Sequence, residues 1–309
     1  MVRFVYGFMK MGLVLTFFVA ANPLHGQQNP QFTQYMFNPL GINPGYSGLD
    51  GALSLTFLNR QQWSGIPNAP TTQALTVHAL SKRKRLGVGI NLVNDKVGIH
   101  QNQFVQGNAS YHLQTGQHST LSMGMLAGIN MRRSDYASIL SGNVTDPLVA
   151  NASVSKNFMD LGVGFYFKSR RFETGLSAPS LLPKNLSVGD SLKVDFATTN
   201  IFLFGKYRFP LGLNFEAEPS ALVKYLQGVP ISFDTNITLI YKSVLALGAS
   251  YRKGESIAGL IKADVTSQFA AGYSYDYPVG KVSGFGTGSH EIMVKYKFVY
   301  ASSRVSSPR

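Results

Sequence analysis

The feature that most constrains this chain is an alternation of apolar and polar residues with period two, repeated over most of its length. Between positions 230 and 242, Ile231, Phe233, Ile237, Leu239 and Tyr241 alternate with Ser232, Asp234, Asn236, Thr238 and Lys242. Successive side chains of a β-strand point to opposite faces, so such a segment has one apolar face and one polar face. The same pattern sets Leu213, Phe215, Ala217, Ala221, Val223 and Tyr225 against Asn214, Glu216, Glu218, Ser220 and Lys224. It recurs with Leu121, Met123, Met125, Ile129 and Met131, with Phe269 to Tyr277, and with Ile292, Val294, Tyr296 and Phe298. No long window sustains apolar residues at i, i+3, i+4 and i+7, so amphipathic helices are not expected.

The pattern predicts fourteen strands, near 51–60, 71–80, 86–97, 102–114, 118–132, 157–168, 171–178, 196–209, 212–226, 230–242, 244–252, 257–263, 267–276 and 289–299. Their connections alternate in length imperfectly, since some odd ones, such as Gly98–Gln101, are also short. The even ones are short: Ser81–Arg85, Thr115–Gln117, Ser169–Arg170, Pro210–Leu211, Ser243 and Asp264–Thr266. Several odd ones are long, at 133–156, 179–195 and 277–288. Outer-membrane barrels combine short periplasmic turns with longer extracellular loops on an even number of strands. The fold class expected is therefore all-β, an antiparallel outer-membrane β-barrel of about 14 strands spanning 49–300.

Composition excludes the main alternatives. Charged residues are 14% of the chain, where a soluble domain carries about one-quarter. Mean hydropathy is close to zero, far below that of a helical membrane protein. With no cysteine, neither a disulfide framework nor a thiolate site can form. The net charge of +13 leaves three partners open: an acidic protein, anionic lipid headgroups, or solvent alone. Export and the lack of a recognition helix argue against nucleic acid.

Residues 1–26 fit a secretory signal peptide. Arg3 and Lys10 precede the apolar run Met11–Ala21, and Gly26 is a small residue before Gln27. The run is shorter than the ~20 residues a spanning helix needs. The segment 27–48 lacks clean alternation, and two readings stay open for it: a plug folded into the barrel, or a periplasmic lead-in. Phe32, Tyr35, Met36 and Phe37 make it too apolar for a free tail. Residues 301–309 read as a polar C-terminal tail.

No motif carries catalytic chemistry. The histidines show no metal-ligand spacing, and His290-Glu291 would point to opposite faces of a strand. Neither a catalytic, cofactor-binding or metal site nor a cofactor is expected. Lys82, Arg83, Lys84, Arg85, Arg170 and Arg171 cluster on turns assigned to the periplasm. Like charges repel within a Debye length of ~8 Å, so these residues are candidates for docking an acidic periplasmic partner. Anionic headgroups are the competing explanation. Trp63 fits an interfacial aromatic girdle or loop packing equally well. Pro219 cannot donate to a strand ladder and predicts a bulge or bend.

Three segments carry a family resemblance. The first is QQNPQFTQYMFNPLGINPGYSG (Gln27–Gly48), the second RQQWSGIPNAPTTQ (Arg60–Gln73), and the third GYSYDYPVGKVSGFGTGSHEIMVKYKF (Gly272–Phe298). Together they resemble the PorP/SprF family of type IX secretion system membrane proteins of Bacteroidota, over essentially the whole chain after the signal. The resemblance implies a non-enzymatic outer-membrane barrel. Such a barrel supports secretion or surface attachment of partner proteins, gliding adhesins among them, and contacts the periplasmic machinery. The family has no catalytic site to carry over. Phe298 and Tyr300 suit the aromatic end that barrel assembly reads, although nine residues follow. The alternative is a barrel that transports small or hydrophobic solutes.

Overall fold

The computed structural model describes residues 30–82, 85–135, 153–182, 184–188, 192–196, 200–226, 229–280, 283 and 287–298. The expected signal peptide, Arg83, Lys84 and the C-terminal tail lie outside these residues. Among the described residues there are seventeen strands: β1 (Leu53–Gln61), β2 (Thr71–Leu80), β3 (Leu86–Val97), β4 (His100–Gly116), β5 (Ser119–Asp135), β6 (Ser153–Lys168), β7 (Phe172–Ser180), β8 (Lys184–Val188), β9 (Leu192–Phe196), β10 (Asn200–Tyr207), β11 (Phe209–Leu211), β12 (Phe215–Leu226), β13 (Val229–Tyr241), β14 (Leu245–Arg252), β15 (Ser256–Asp264), β16 (Phe269–Pro278) and β17 (Ser289–Phe298).

Fourteen of them close a ring. Each barrel strand pairs antiparallel with its neighbour, β1 pairs with β17, and β10 pairs with both β7 and β12. β8 and β9 form a separate hairpin, and β11 prolongs β10 along β12. The fourteen expected strands correspond one to one with the ring. The hairpin β8–β9, which fills most of the expected 179–195 connection and ends at Phe196, is an addition.

Burial follows the alternation. On β13, Ile231, Ile237 and Leu239 are exposed outward, whereas Asp234, Asn236 and Thr238 are buried inward. The outer surface carries Val105, Met125, Met159, Leu161 and Ile292, the band that the bilayer of the outer membrane covers. Near the short-turn end, outward aromatics pack as a run, Phe167–Phe172–Tyr207–Phe209, and as a separate pair, Phe215–Tyr241, with ring centroids 4.4–6.5 Å apart. Such girdles mark the membrane interface.

Two local expectations are corrected. Pro219 makes no bulge in β12, where it stays in register opposite Ile237. Instead the neighbouring strand is interrupted. β10 ends at Tyr207 and β11 begins at Phe209, so the position facing Pro219 needs no N–H from it. Pro210 and Leu211 consequently belong to β11, and the turn moves to Gly212–Asn214, with Gly212 at φ 80°. Trp63 lies in the 62–70 loop, half-buried, with its main-chain N–H donating to Ser289 Oγ at 3.2 Å.

Candidate functional site

The barrel is not empty. Residues 30–50 run through its interior, and Thr33, Gln34, Tyr35, Met36, Leu40, Asn43, Tyr46 and Ser47 are buried there. Asn-Pro at 38–39 and 43–44 stops this stretch from forming a longer helix, because proline restricts the residue before it. Three one-turn 3-10 segments result, Tyr35–Phe37, Pro39–Gly41 and Pro44–Tyr46. The Asn43 side chain caps the third by accepting from Gly45 N at 2.8 Å.

The upper end is held by charge. Glu291 accepts the main-chain N–H groups of Thr33 and Gln34 at 2.8 and 2.9 Å. Arg60 binds Glu291 at 3.1 Å and Asp276 at 2.6 Å, and also donates to Thr33 Oγ1. Arg60, Asp276 and Glu291 flank the 62–70 and 279–288 loops, so this anchor sits at the long-loop end, which in outer-membrane barrels faces the cell exterior. At the other end, Lys295 binds Asp50 at 2.7 Å and Lys168 donates to Leu49 O at 3.4 Å.

Between the anchors, the barrel wall satisfies the segment's main chain, as buried backbone requires. Asn91, Ser177, Ser122 and Ser110 donate to the carbonyls of Leu40, Ile42, Gly45 and Ser47 at 2.5–3.3 Å. Asn43 returns a donor to Phe165 O, and Gly48 N reaches His78 Nδ1 at 3.0 Å. Close approach also needs missing side chains. A Cβ on Gly87, Gly124 or Gly164 would run into Ser47, Gly45 or Asn43. Inward apolar residues complete the seat. Tyr166, Phe204, Leu222 and Leu260 pack around Tyr35, Met36, Leu40 and Tyr46, and Leu58 and Met293 pack beside Phe32 and Phe37.

Among the described residues the segment separates a largely apolar cavity from a charged one. On its extracellular side lies a cavity of about 90 Å³, lined by apolar groups such as Phe32, Leu58, Val93, Phe104 and Phe202. On its periplasmic side lies one of about 260 Å³ beneath Met36, Phe37 and Tyr46. This second chamber meets a mouth of about 780 Å³. The chamber and mouth are lined by Lys168, Arg170, Arg171, Lys206, Arg208, Lys262, Lys295 and Lys297, against Asp50, Glu173, Glu218 and Asp264.

Lys82, Arg85, Arg170 and Arg171 are all exposed, on the β2–β3 and β6–β7 turns. Arg170 and Arg171 also line the mouth of the lumen, whereas Lys82 and Arg85 stand outside that lining. The inward lysines of the chamber were missed by sequence reasoning. Their signal was available, since Lys295 and Lys297 share the parity of Glu291 on β17. His290 and Glu291 point to opposite sides: Glu291 into the lumen, and His290 toward Tyr273 Oη at 2.7 Å. Among the described residues no group of His, Asp and Glu converges to hold a metal ion.

The sequence pattern of the family described as Type IX secretion system membrane protein PorP/SprF matches residues 24–296. No curated protein matches the chain. Among solved structures it is similar to the Acinetobacter baumannii outer membrane protein Omp33, with TM-score 0.46 and 10% identity, covering 80% of this chain and 98% of that one. It is also similar to the CymD monoaromatic hydrocarbon channel, with TM-score 0.49 and 10% identity, covering 87% of this chain and 94% of that one. A Pseudomonas aeruginosa FadL homologue gives TM-score 0.45 and 10% identity over 80% and 89% of the two chains.

Proposed function

The chain belongs to the PorP/SprF family of type IX secretion system membrane proteins, and from that we propose a non-enzymatic support role in the outer membrane. In this role the barrel assists secretion or surface attachment of partner proteins, such as gliding adhesins, and contacts periplasmic machinery. The observation that carries the reading is the filled lumen. Residues 30–50 bond to the wall on most sides, which suits a scaffold better than a conduit. The segment serves as a plug in this reading.

The basic turns supply the periplasmic contact. Lys82, Arg83, Lys84 and Arg85 on one turn and Arg170 and Arg171 on another dock an acidic protein of the apparatus, gaining association rate from opposite charge. The test replaces these six residues with Ser or Gln and compares barrel assembly with recovery of co-purifying proteins. Normal assembly with loss of a periplasmic partner is expected. Unchanged recovery, including at low salt, would assign the turns to lipid headgroups.

A second reading, transport of small or hydrophobic solutes, is favoured by the apolar outer chamber alone. It requires displacement of the plug. Vesicles holding the purified barrel should then admit an apolar solute whose charge slows its passage through lipid, such as an alkylbenzenesulfonate, and the support role expects no flux above empty vesicles.

A further inference from the structure

Cations in the periplasmic chamber exceed the carboxylates that could neutralise them. Asp50 takes Lys295 at 2.7 Å, Asp264 takes Lys262 at 2.5 Å, and Glu218 and Glu216 take Arg208 at 2.7 and 3.6 Å. Lys168 and Lys206 share Glu173 at 3.7 and 3.6 Å, with Lys206 also 3.7 Å from Glu218. Lys297 has no ion pair among the described residues and faces the same space. A concave site with one sign of charge in excess and low-dielectric walls focuses its field outward through the mouth. The field here opens to the periplasm.

Shape narrows the ligand. The chamber of about 260 Å³ and the mouth of about 780 Å³ share Lys168, Lys206 and Arg208 as lining. The two spaces therefore adjoin along one wall, giving a recess far larger than a single small anion needs. Its inner end is closed by Met36, Phe37 and Tyr46 of the plug, so a ligand can enter but not pass. Lys262 Nζ stands 5.4 Å over the Phe37 ring, which puts a cation at that closed end. Lys206, Lys262 and Lys297 project from the inner face of the wall, away from the lipid outside it.

We infer that this recess is a binding site for an acidic polypeptide segment, which enters from the periplasm and lodges its carboxylates among Lys206, Lys262 and Lys297. The inference deepens the docking proposed above and rests on that reading for the identity of the partner as a protein. It differs in place, because the deciding residues lie inside the lumen and not on the turns.

The probe is a fluorescent deca-glutamate peptide added to the full-length barrel in zwitterionic nanodiscs at low salt. Saturable binding is expected. Lys262→Gln with Lys297→Gln should weaken it by about tenfold or more, and Arg170→Gln with Arg171→Gln by clearly less. No saturable binding, or a loss in the turn pair equal to that in the chamber pair, would overturn the inference. A control independent of charge guards against misfolding. Ser267 lines the chamber and is exposed, and the natural chain has no cysteine. Ser267→Cys, folded first and then modified with a bulky maleimide, should exclude the peptide, and unchanged binding after full modification counts against the site. Failure of the docking reading would register separately, as unchanged partner recovery from cells carrying the turn variants.

Discussion

The Glu291 carboxylate accepts the main-chain N–H of Thr33 at 2.8 Å, joining the plug to the last barrel strand across 258 residues of chain. Both residues are almost fully buried, and Arg60 neutralises the carboxylate at 3.1 Å. Removing Glu291 leaves Arg60 paired with Asp276 but strips the buried Thr33 and Gln34 N–H groups of their acceptor, at a cost of about 1–3 kcal/mol for each unsatisfied group. Glu291→Ala should therefore lower stability by about that amount, as read by urea unfolding in detergent. It should also raise protease sensitivity within residues 30–40. Glu291→Gln keeps one acceptor and should lose less.

The glycine seats give a second expectation. A Cβ at Gly124 would strike the backbone at Pro44 and Gly45, and backbone cannot swing aside as a side chain tip does. Gly124→Val should leave the outer wall paired while expelling the middle of the plug. Hydrogen exchange would show this as lost protection over residues 43–48 with β4 and β5 still protected. Unaltered protection would mean that the plug tolerates displacement.

Asp50 lies before β1 at the periplasmic end. Burial alone would raise its pKa, but Lys295, Lys297, His78 and Lys168 outweigh burial and hold the carboxyl well below its usual range. A group depressed in the folded state adds stability above its unfolded pKa, about 3.9 for aspartate, and loses it as pH falls through the folded value. The stability gap between the wild-type chain and Asp50→Asn should thus stay constant from neutral pH to about 5. It should narrow only below about pH 4. A gap that closes near neutrality would contradict the depressed carboxyl.

Much of the barrel was legible because period two is a local property. Ile231, Ile237 and Leu239 declare their face without knowledge of any partner strand. The seat of the plug was not. Leu58, Leu222 and Met293 are apolar on the inward face, which in an open barrel would be wetted. They make sense only once Phe32, Tyr35 and Leu40 fill the lumen beside them. Likewise, Lys206, Lys262 and Lys297 are scattered in sequence and meet only after closure. The short strands of the β8–β9 hairpin span too few residues to show an alternation. Pro219 was noticed, but its accommodation depends on a break in another strand.

Lipid exposure predicts a depth dependence. Ile237 is mid-strand on β13 and half exposed, while Tyr241 ends the strand within the aromatic girdle. A basic residue facing lipid costs about 2–4 kcal/mol at the midplane and about 0–1 near the interface. Ile237→Arg should therefore reduce folding into vesicles far more than Tyr241→Arg. Equal effects would place the bilayer band elsewhere on the wall.

The path of the plug has a consequence for topology. Thr33 is fixed by Arg60, Asp276 and Glu291, which lie beside the extracellular loops, and Asp50 is fixed by Lys295, toward the short turns. The chain therefore descends from the extracellular half to the periplasmic end before entering β1. Pro30 stands at the outer side, half-buried, near the Lys224–Asp234 pair on β12 and β13. In this cysteine-free chain, Pro30→Cys should react with a membrane-impermeant maleimide on intact cells. Lys82→Cys, on an exposed short turn, should react only after the outer membrane is permeabilised. The reverse order would mean that the barrel sits inverted relative to its short turns. Reaction at neither stage for Pro30→Cys would contradict its half-exposed position and the direction of the plug.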